Sequence, residues 1–308
     1  MKYIDKYRMH VAAHSINAGF MKDCYANDIQ NPLPSPDNPK TSYEDFKKSK
    51  YRDGINGWKR LLLSEQTFEN HPRCCYCMRK LNDSAGRINY EHVIPRKLSG
   101  DEGQDQYNYY SANSPALKDH VTMADVFVKN TYTSVNDIDR EEKMPHITAL
   151  SNLVVACNGT RDTFNTVGCC CNGNRKEDMI LPIMLMDKAE TCVKYDKNGL
   201  MSVTCNDGTL DKIIEDLNAD TFTEIRSVWY HLSKVSKNIS NALTMPMKER
   251  IEWFKEAYST TNFTTLKDEV KRYSGFGEKD NADTYWKLLL AYDWFYYYSG
   301  YAYQRATA

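Results

Sequence analysis

The sequence predicts an α+β protein: a small strand–loop–strand–helix core gripped by cysteines, with mainly helical regions on both sides. Three observations carry this. Residues 87–94 and 151–157 are short β-like stretches rich in branched and aromatic side chains, and the polar run from Asn172 to Asp178 suits the start of a helix. Seven of the ten cysteines fall in two groups, Cys74, Cys75 and Cys77 before the first stretch ends, and Cys157, Cys169, Cys170 and Cys171 after the second begins. Apolar residues recur at helical spacing over 41–70, 209–237, 246–258 and 283–303.

In chain order, 1–30 reads as a helical or irregular segment, and 31–40, with four prolines, as an extended linker. His10 and His14 are spaced one helical turn apart, as a metal pair would be, with no third ligand nearby in sequence. Residues 41–73 form a helical lead-in, with Thr41 or Ser42 as cap and Trp58, Leu61, Leu62 and Phe68 for packing. Residues 74–180 hold the core. Within it 98–148 is long, polar and poorly periodic, which reads as an inserted functional loop. Residues 181–308 begin with a hairpin from Cys192 to Val203, turning at Asn198-Gly199, and continue as helices. The aromatic tail, 285–303, suits a buried helix or a partner interface better than base stacking, because Lys287 is the one basic residue within it.

The overall charge of −1 gives no global sign of a nucleic-acid binder, but its distribution does. Residues 40–97 carry thirteen Lys/Arg against seven Asp/Glu, an excess of six within a nearly neutral chain. A polyanion is the partner that such a local excess attracts. The charged start lacks the apolar run of a signal peptide. The longest apolar run, Ile180 to Met186, contains a proline and is far too short to span a bilayer. A cytoplasmic protein without a membrane partner is expected. In that compartment clustered cysteines favour a metal site over disulfides. Cys24, Cys192 and Cys205 stand alone and read as buried thiols.

Cys74-x-x-Cys77 has the spacing of a tetrahedral zinc knuckle. The second pair of ligands comes from Cys157 and one of Cys169, Cys170 and Cys171. Cys171 is chosen because it directly precedes Asn172 and the helix. Thirteen residues separate Cys157 from Cys171, so this knuckle carries an insertion. Cys75 is expected not to be a ligand.

Between the cysteine groups lies Glu91-His92-Val93-Ile94-Pro95-Arg96. Phosphodiester hydrolysis needs a base for water, a cation on the phosphate and help for the leaving oxygen. His92 titrates near neutral pH and suits the base. Glu91 offers hard oxygen chemistry for Mg²⁺ or Mn²⁺, and Asn172 can bring a second oxygen to that ion. On a strand Glu91 and His92 point to opposite faces, so the strand must end or kink there for both to serve one site. Arg96, Lys97, Arg175 and Lys176 can hold phosphate oxygens.

Glu91-His92-x-x-Pro95, Asn152-Leu153-Val154-Val155-Ala156-Cys157 and Cys171-Asn172-x-x-Arg175 resemble the three signature pieces of HNH endonucleases. The resemblance covers about residues 74–180. It implies a ββα-metal HNH core braced by a four-Cys zinc site, cleaving nucleic acid, with DNA favoured over RNA. It also implies His92 as general base, Glu91 and Asn172 as ligands of a catalytic divalent ion, and Asn152 as the residue that pins the loop between the strands. Trp58 to Gln66, Cys74 to Lys80, the hairpin at Asn198-Gly199, Leu217-Asn218 and Glu224-Ile225-Arg226 are similar to the retron-associated HNH family. That group includes nuclease subunits of Septu-type anti-phage systems, which implies an ABC-type ATPase as partner. No Walker motif is present, so nucleotide control would come from another chain. The rival reading is a zinc-braced binding module with an inactive core; a second rival is an HNH enzyme that cuts RNA or tRNA.

Overall fold

The computed structural model of the chain describes residues 3–27, 39–68, 70–81, 88–129, 135–140, 142–157, 171, 181–186, 189–196 and 198–204, with single positions beyond. Asn172, Arg175, Lys176, Cys169, Cys170 and Cys205 lie outside the described residues, as do 31–38, 246–248, 250–258, most of 209–237 and nearly all of the aromatic tail.

A 3-10 turn, Lys6–Met9, leads into α1, His10–Asn27. Helix α2 spans Pro39–Lys48 and α3 spans Trp58–Glu65. The lead-in is therefore two helices and a turn, not one helix to residue 70. The helix starts inside the proline-rich stretch, so neither Thr41 nor Ser42 caps it; Pro39 suits a first helical turn, where its missing N–H costs nothing. Gly57 ends the intervening turn, and a Cβ there would lie 2.5 Å from the Arg52 carbonyl oxygen. Only glycine fits that approach. After α3 the chain forms a tight hairpin, β1 (Thr67–Phe68) with β2 (His71–Pro72).

The central ladder is β3 (Ile88–His92) against β6 (Leu153–Cys157), antiparallel, with Ile88 opposite Cys157 and His92 opposite Leu153. All of β6 is buried, as its continuous apolar run requires. Among the described residues its edge away from β3 has no further strand, yet its backbone groups are met by side chains and a loop. Gln66 accepts from Val155 N at 2.6 Å and donates to Val155 O at 2.7 Å. Cys75 N donates to Val155 O at 3.0 Å, and Lys6 Nζ donates to Leu153 O at 2.6 Å. Lys6 also forms a buried ion pair with Glu65 at 2.6 Å; burial holds the Glu65 carboxyl above its usual range, against the pull of Lys6. Aromatic contacts then close the helices onto β3. Phe20 meets Phe46 edge-on at 4.9 Å, Phe46 stacks on Trp58 at 5.6 Å, and Trp58 meets Tyr90 at 5.0 Å.

Residues 98–148 are not the loop expected from their weak periodicity. They contain α4 (Gly100–Asn113), α5 (Pro115–His120), β4 (Val121–Thr122), α6 (Ala124–Lys129), α7 (Val135–Arg140) and β5 (Met144–Pro145). These helices are mostly of six residues, too short to display a periodic face, and their core contacts come one or two per helix. Tyr110, Leu117, Val121, Phe127 and Ile138 supply them. Strands β4 and β5 pair in parallel, which brings the middle of this segment against its C-terminal end.

His146 anchors the segment. Its Nδ1 accepts from Ala124 N at 3.0 Å, and its Nε2 lies 3.3 Å from the Arg96 carbonyl oxygen. Burial pushes its imidazole down from 6.5 to about 4, outweighing the backbone carbonyl contact with Arg96. The unfolded chain then binds one more proton than the folded chain between about pH 6.5 and 4. Stability should fall as pH drops through that window, by about 3 kcal/mol at most. His146→Gln should flatten this part of the denaturant-midpoint profile against pH; an unchanged slope would reject the assignment.

Beyond the core, a 3-10 turn at Ile183–Leu185 and α8 (Ala189–Cys192) precede the hairpin of β7 (Val193–Tyr195) and β8 (Met201–Val203). The hairpin and its turn at Asn198-Gly199 follow the expectation, with Gly199 at φ 79°. Cys192 corrects one: it is disulfide-bonded, not a lone thiol, with its partner outside the described residues. The hairpin holds Cys192 against the returning chain, where its carbonyl accepts from Thr204 N at 2.9 Å, a proximity that linear isolation hides. Cys24 is half-buried. Among the described residues no helix is long and apolar enough to cross a membrane.

Candidate active site and metal centre

The metal centre begins as a tight turn. Cys74 N donates to Arg79 O and Met78 N donates to Cys74 O, both at 2.9 Å, with Met78 at φ 60°. Arg73 braces this turn from beneath, donating from Nη1 to Met78 O at 3.3 Å and from Nε to Phe68 O at 3.2 Å. Cys157 arrives at the end of β6, and Cys171 reaches in with φ 54°.

The Sγ atoms of Cys74, Cys77, Cys157 and Cys171 all lie within 4.8 Å of one another, and all four residues are buried. Cys77 Sγ and Cys157 Sγ are 4.0 Å apart. Four thiolates on a tetrahedral zinc, at about 2.3 Å each, stand about 3.8 Å apart. The cluster therefore fits a metal ion such as zinc, with the ligand set expected from spacing. Cys75 is equally buried but outside the cluster. Burial acts most strongly on Cys74 and opposes its ionisation, but hydrogen bonds from Cys157, Cys171, Cys75 and Cys77 outweigh it and hold this thiol well below the usual range. Burial pushes Cys77 up. A cation is what lets all four carry charge together.

The opposite end of the same ladder carries Glu91 and His92. Strand β3 stops at His92, so the requirement that the strand end there is met. His92 is buried and Glu91 half-buried. His92 Nε2 lies 2.7 Å from the Ile147 carbonyl oxygen. A carbonyl only accepts, so Nε2 carries the proton and the basic lone pair sits on Nδ1. Tyr43 of α2 packs edge-on against the imidazole, 4.5 Å between centroids.

Asn152 is completely buried and fastens the chain just past His92. Its Oδ1 accepts from Ile94 N at 2.8 Å, while Nδ2 donates to Ile94 O at 3.0 Å and His146 O at 2.7 Å. Its own carbonyl accepts from Val93 N at 2.9 Å. Asn152→Ala would leave three buried backbone groups unsatisfied, so a loss of about 3 kcal/mol or more is expected in equilibrium unfolding. A loss below about 1 kcal/mol would mean that the loop is held by something else.

Of the four basic candidates, two are described. Arg96 lays its guanidinium over the Tyr43 ring at 4.9 Å, and its Nη1 is buried with no hydrogen-bond partner among the described residues. Lys97 is exposed. Part of the basic excess is not available to a polyanion: Arg73 is fully buried beneath the cysteine turn, and Lys50 pairs with Asp23 from outside residues 40–97.

Tyr43, Gln66, His146 and the Ile147 carbonyl escaped the sequence reading. Tyr43 had one available signal, its i, i+3 spacing from Phe46 on one helical face. Comparison of the chain with protein-family models, with curated proteins and with solved structures finds no match.

Proposed function

We propose that this chain is a metal-dependent HNH endonuclease that hydrolyses nucleic acid, DNA above RNA. One observation carries the reading: a single antiparallel ladder has His92 at one end, beside the Asn152-fastened turn, and Cys157 of the four-cysteine cluster at the other. That is the arrangement expected of a ββα-metal core, with Asn172 following directly on the last cysteine ligand.

In this reading His92 Nδ1 takes a proton from the attacking water. The Nε2–H bond to the Ile147 carbonyl favours the imidazolium that results. The Arg96 guanidinium, held against the Tyr43 ring, would donate to a phosphate oxygen. Exposed Lys97 would add to the positive charge facing the substrate backbone, and Arg175 and Lys176, outside the described residues, are proposed to serve the same purpose. Glu91 and Asn172 would hold Mg²⁺ or Mn²⁺. That ion supplies charge neutralisation at the phosphate and the leaving oxygen.

The setting proposed is a bacterial anti-phage defence module in the cytoplasm, with an ABC-type ATPase as the partner that controls cutting. Supercoiled plasmid and structured RNA should be offered with Mg²⁺, with Mn²⁺ and with EDTA, each with and without the ATPase. Metal-dependent nicking of the plasmid is expected. Tight binding without cleavage of either substrate, ATPase present, would favour the inactive binding module; cleavage of RNA alone would move the substrate.

A further inference from the structure

Far in sequence from the cysteine cluster, α1, α5 and the chain after α7 enclose a cleft of about 470 Å³. His10, His14 and His120 line it, together with Asp119, Asp139, Arg140 and Glu142. None of the cysteines, Glu91 or His92 is on its wall.

His10 and His14 share one face of α1, a single turn apart. By sequence they lack a third ligand. The fold supplies one: the His120 ring lies nearly parallel to that of His10, 5.3 Å between centroids and 12° between planes. Two imidazoles on one tetrahedral ion, with metal–nitrogen bonds of about 2.0–2.1 Å, place their ring centres about 5 Å apart. The His10 and His120 rings already stand at that separation, and turning them about their own χ angles would aim a nitrogen of each at one ion. His10 is exposed and His14 half-buried. The wall charge is acidic on balance. Asp139 is held by Lys22, Asp119 and Glu142 add carboxylates, and Arg140 is the one opposing cation on the wall.

We infer that His10, His14 and His120 form a second metal site, for a borderline transition cation such as Zn²⁺ or Ni²⁺. Imidazole nitrogen selects these ions over Mg²⁺ or Ca²⁺. Because the ligands come from α1 and from the inserted 98–148 segment, a bound ion ties the N-terminal helix to the insertion. This inference is independent of the nuclease reading.

The test uses the full chain with the cysteine cluster already loaded. Calorimetric titration with Ni²⁺ should show one further equivalent, and thermal unfolding should move to higher temperature as Ni²⁺ is added. His10→Ala and His120→Ala should each weaken that equivalent more than about tenfold. The pair His10→Ala with His14→Ala should abolish it, with the cysteine-bound metal retained. His71→Ala, an exposed histidine elsewhere, serves as the control and should change nothing. His10 is a surface position, so its variant keeps the fold. No further equivalent, or wild-type affinity in His10→Ala and His120→Ala, would overturn the site.

Discussion

His92→Ala should lower metal-dependent cleavage by about 10²- to 10⁴-fold, the range a positioned acid–base group contributes. The fold and the cysteine-bound metal should survive, because the chain beyond His92 is held independently. Asn152 fastens Ile94 through both its backbone groups, and Val93 N donates to Asn152 O. What the substitution removes is one ring between Tyr43 and the Ile147 carbonyl. Cleavage rate, thermal midpoint and metal content should be measured on the same preparation. A lost rate with an unchanged midpoint and metal content marks the base. An unchanged rate would remove His92 from the mechanism. A fallen midpoint together with a fallen rate would reassign the ring to packing. His92→Gln, which keeps a polar group near Ile147 without a titratable nitrogen, separates the last outcome from the first.

Cys74→Ser should be the most damaging single change to the fold. Structural zinc in small fingers contributes an apparent 10–16 kcal/mol, more than the whole stability of most domains. Here the ion would also close a long loop, since Cys77 and Cys157 are 80 residues apart in sequence and 4.0 Å apart through their sulfurs. Metal analysis should show one ion at the cysteine cluster in the wild type and none in Cys74→Ser, with cooperative unfolding lost and the same state reached by a strong chelator. Cys75→Ser is the internal control. That thiol is just as buried yet lies outside the cluster, so the variant should keep its metal while losing some stability. Loss of metal in both variants would show that the turn, not the identity of the ligand, governs binding.

These two expectations rest on parts of the chain that differ in how legible they were. The ladder was readable because β-branched and aromatic residues cluster at 88–92 and 153–157, and the cysteine set because a C-x-x-C turn limits its geometry. The strands end within two residues of the expected 87–94 and 151–157, and β3 stops at His92, where reading Glu91 and His92 as one site called for an end or kink. Segment 98–148 was misread because short helices bury one or two side chains each and leave no period. The anchoring of β6 by the Gln66 and Lys6 side chains and by Cys75 N was equally invisible, since these groups lie far from β6 in sequence.

By itself the sequence determined the residue chemistry: four cysteines able to hold zinc, a Glu-His pair at a strand end, an amide at residue 152, and a locally basic stretch. Those follow from residue type and local spacing, which neighbours along the chain decide. Tertiary structure alone decided which groups meet. It placed Tyr43 against His92 and Arg96, buried Arg73 out of reach of any polyanion, paired Cys192, and brought His120 to His10. The reason is the same in each case. Burial and hydrogen-bond satisfaction are settled between segments distant in sequence, and no local pattern encodes which of many polar or aromatic partners will be the one that packs.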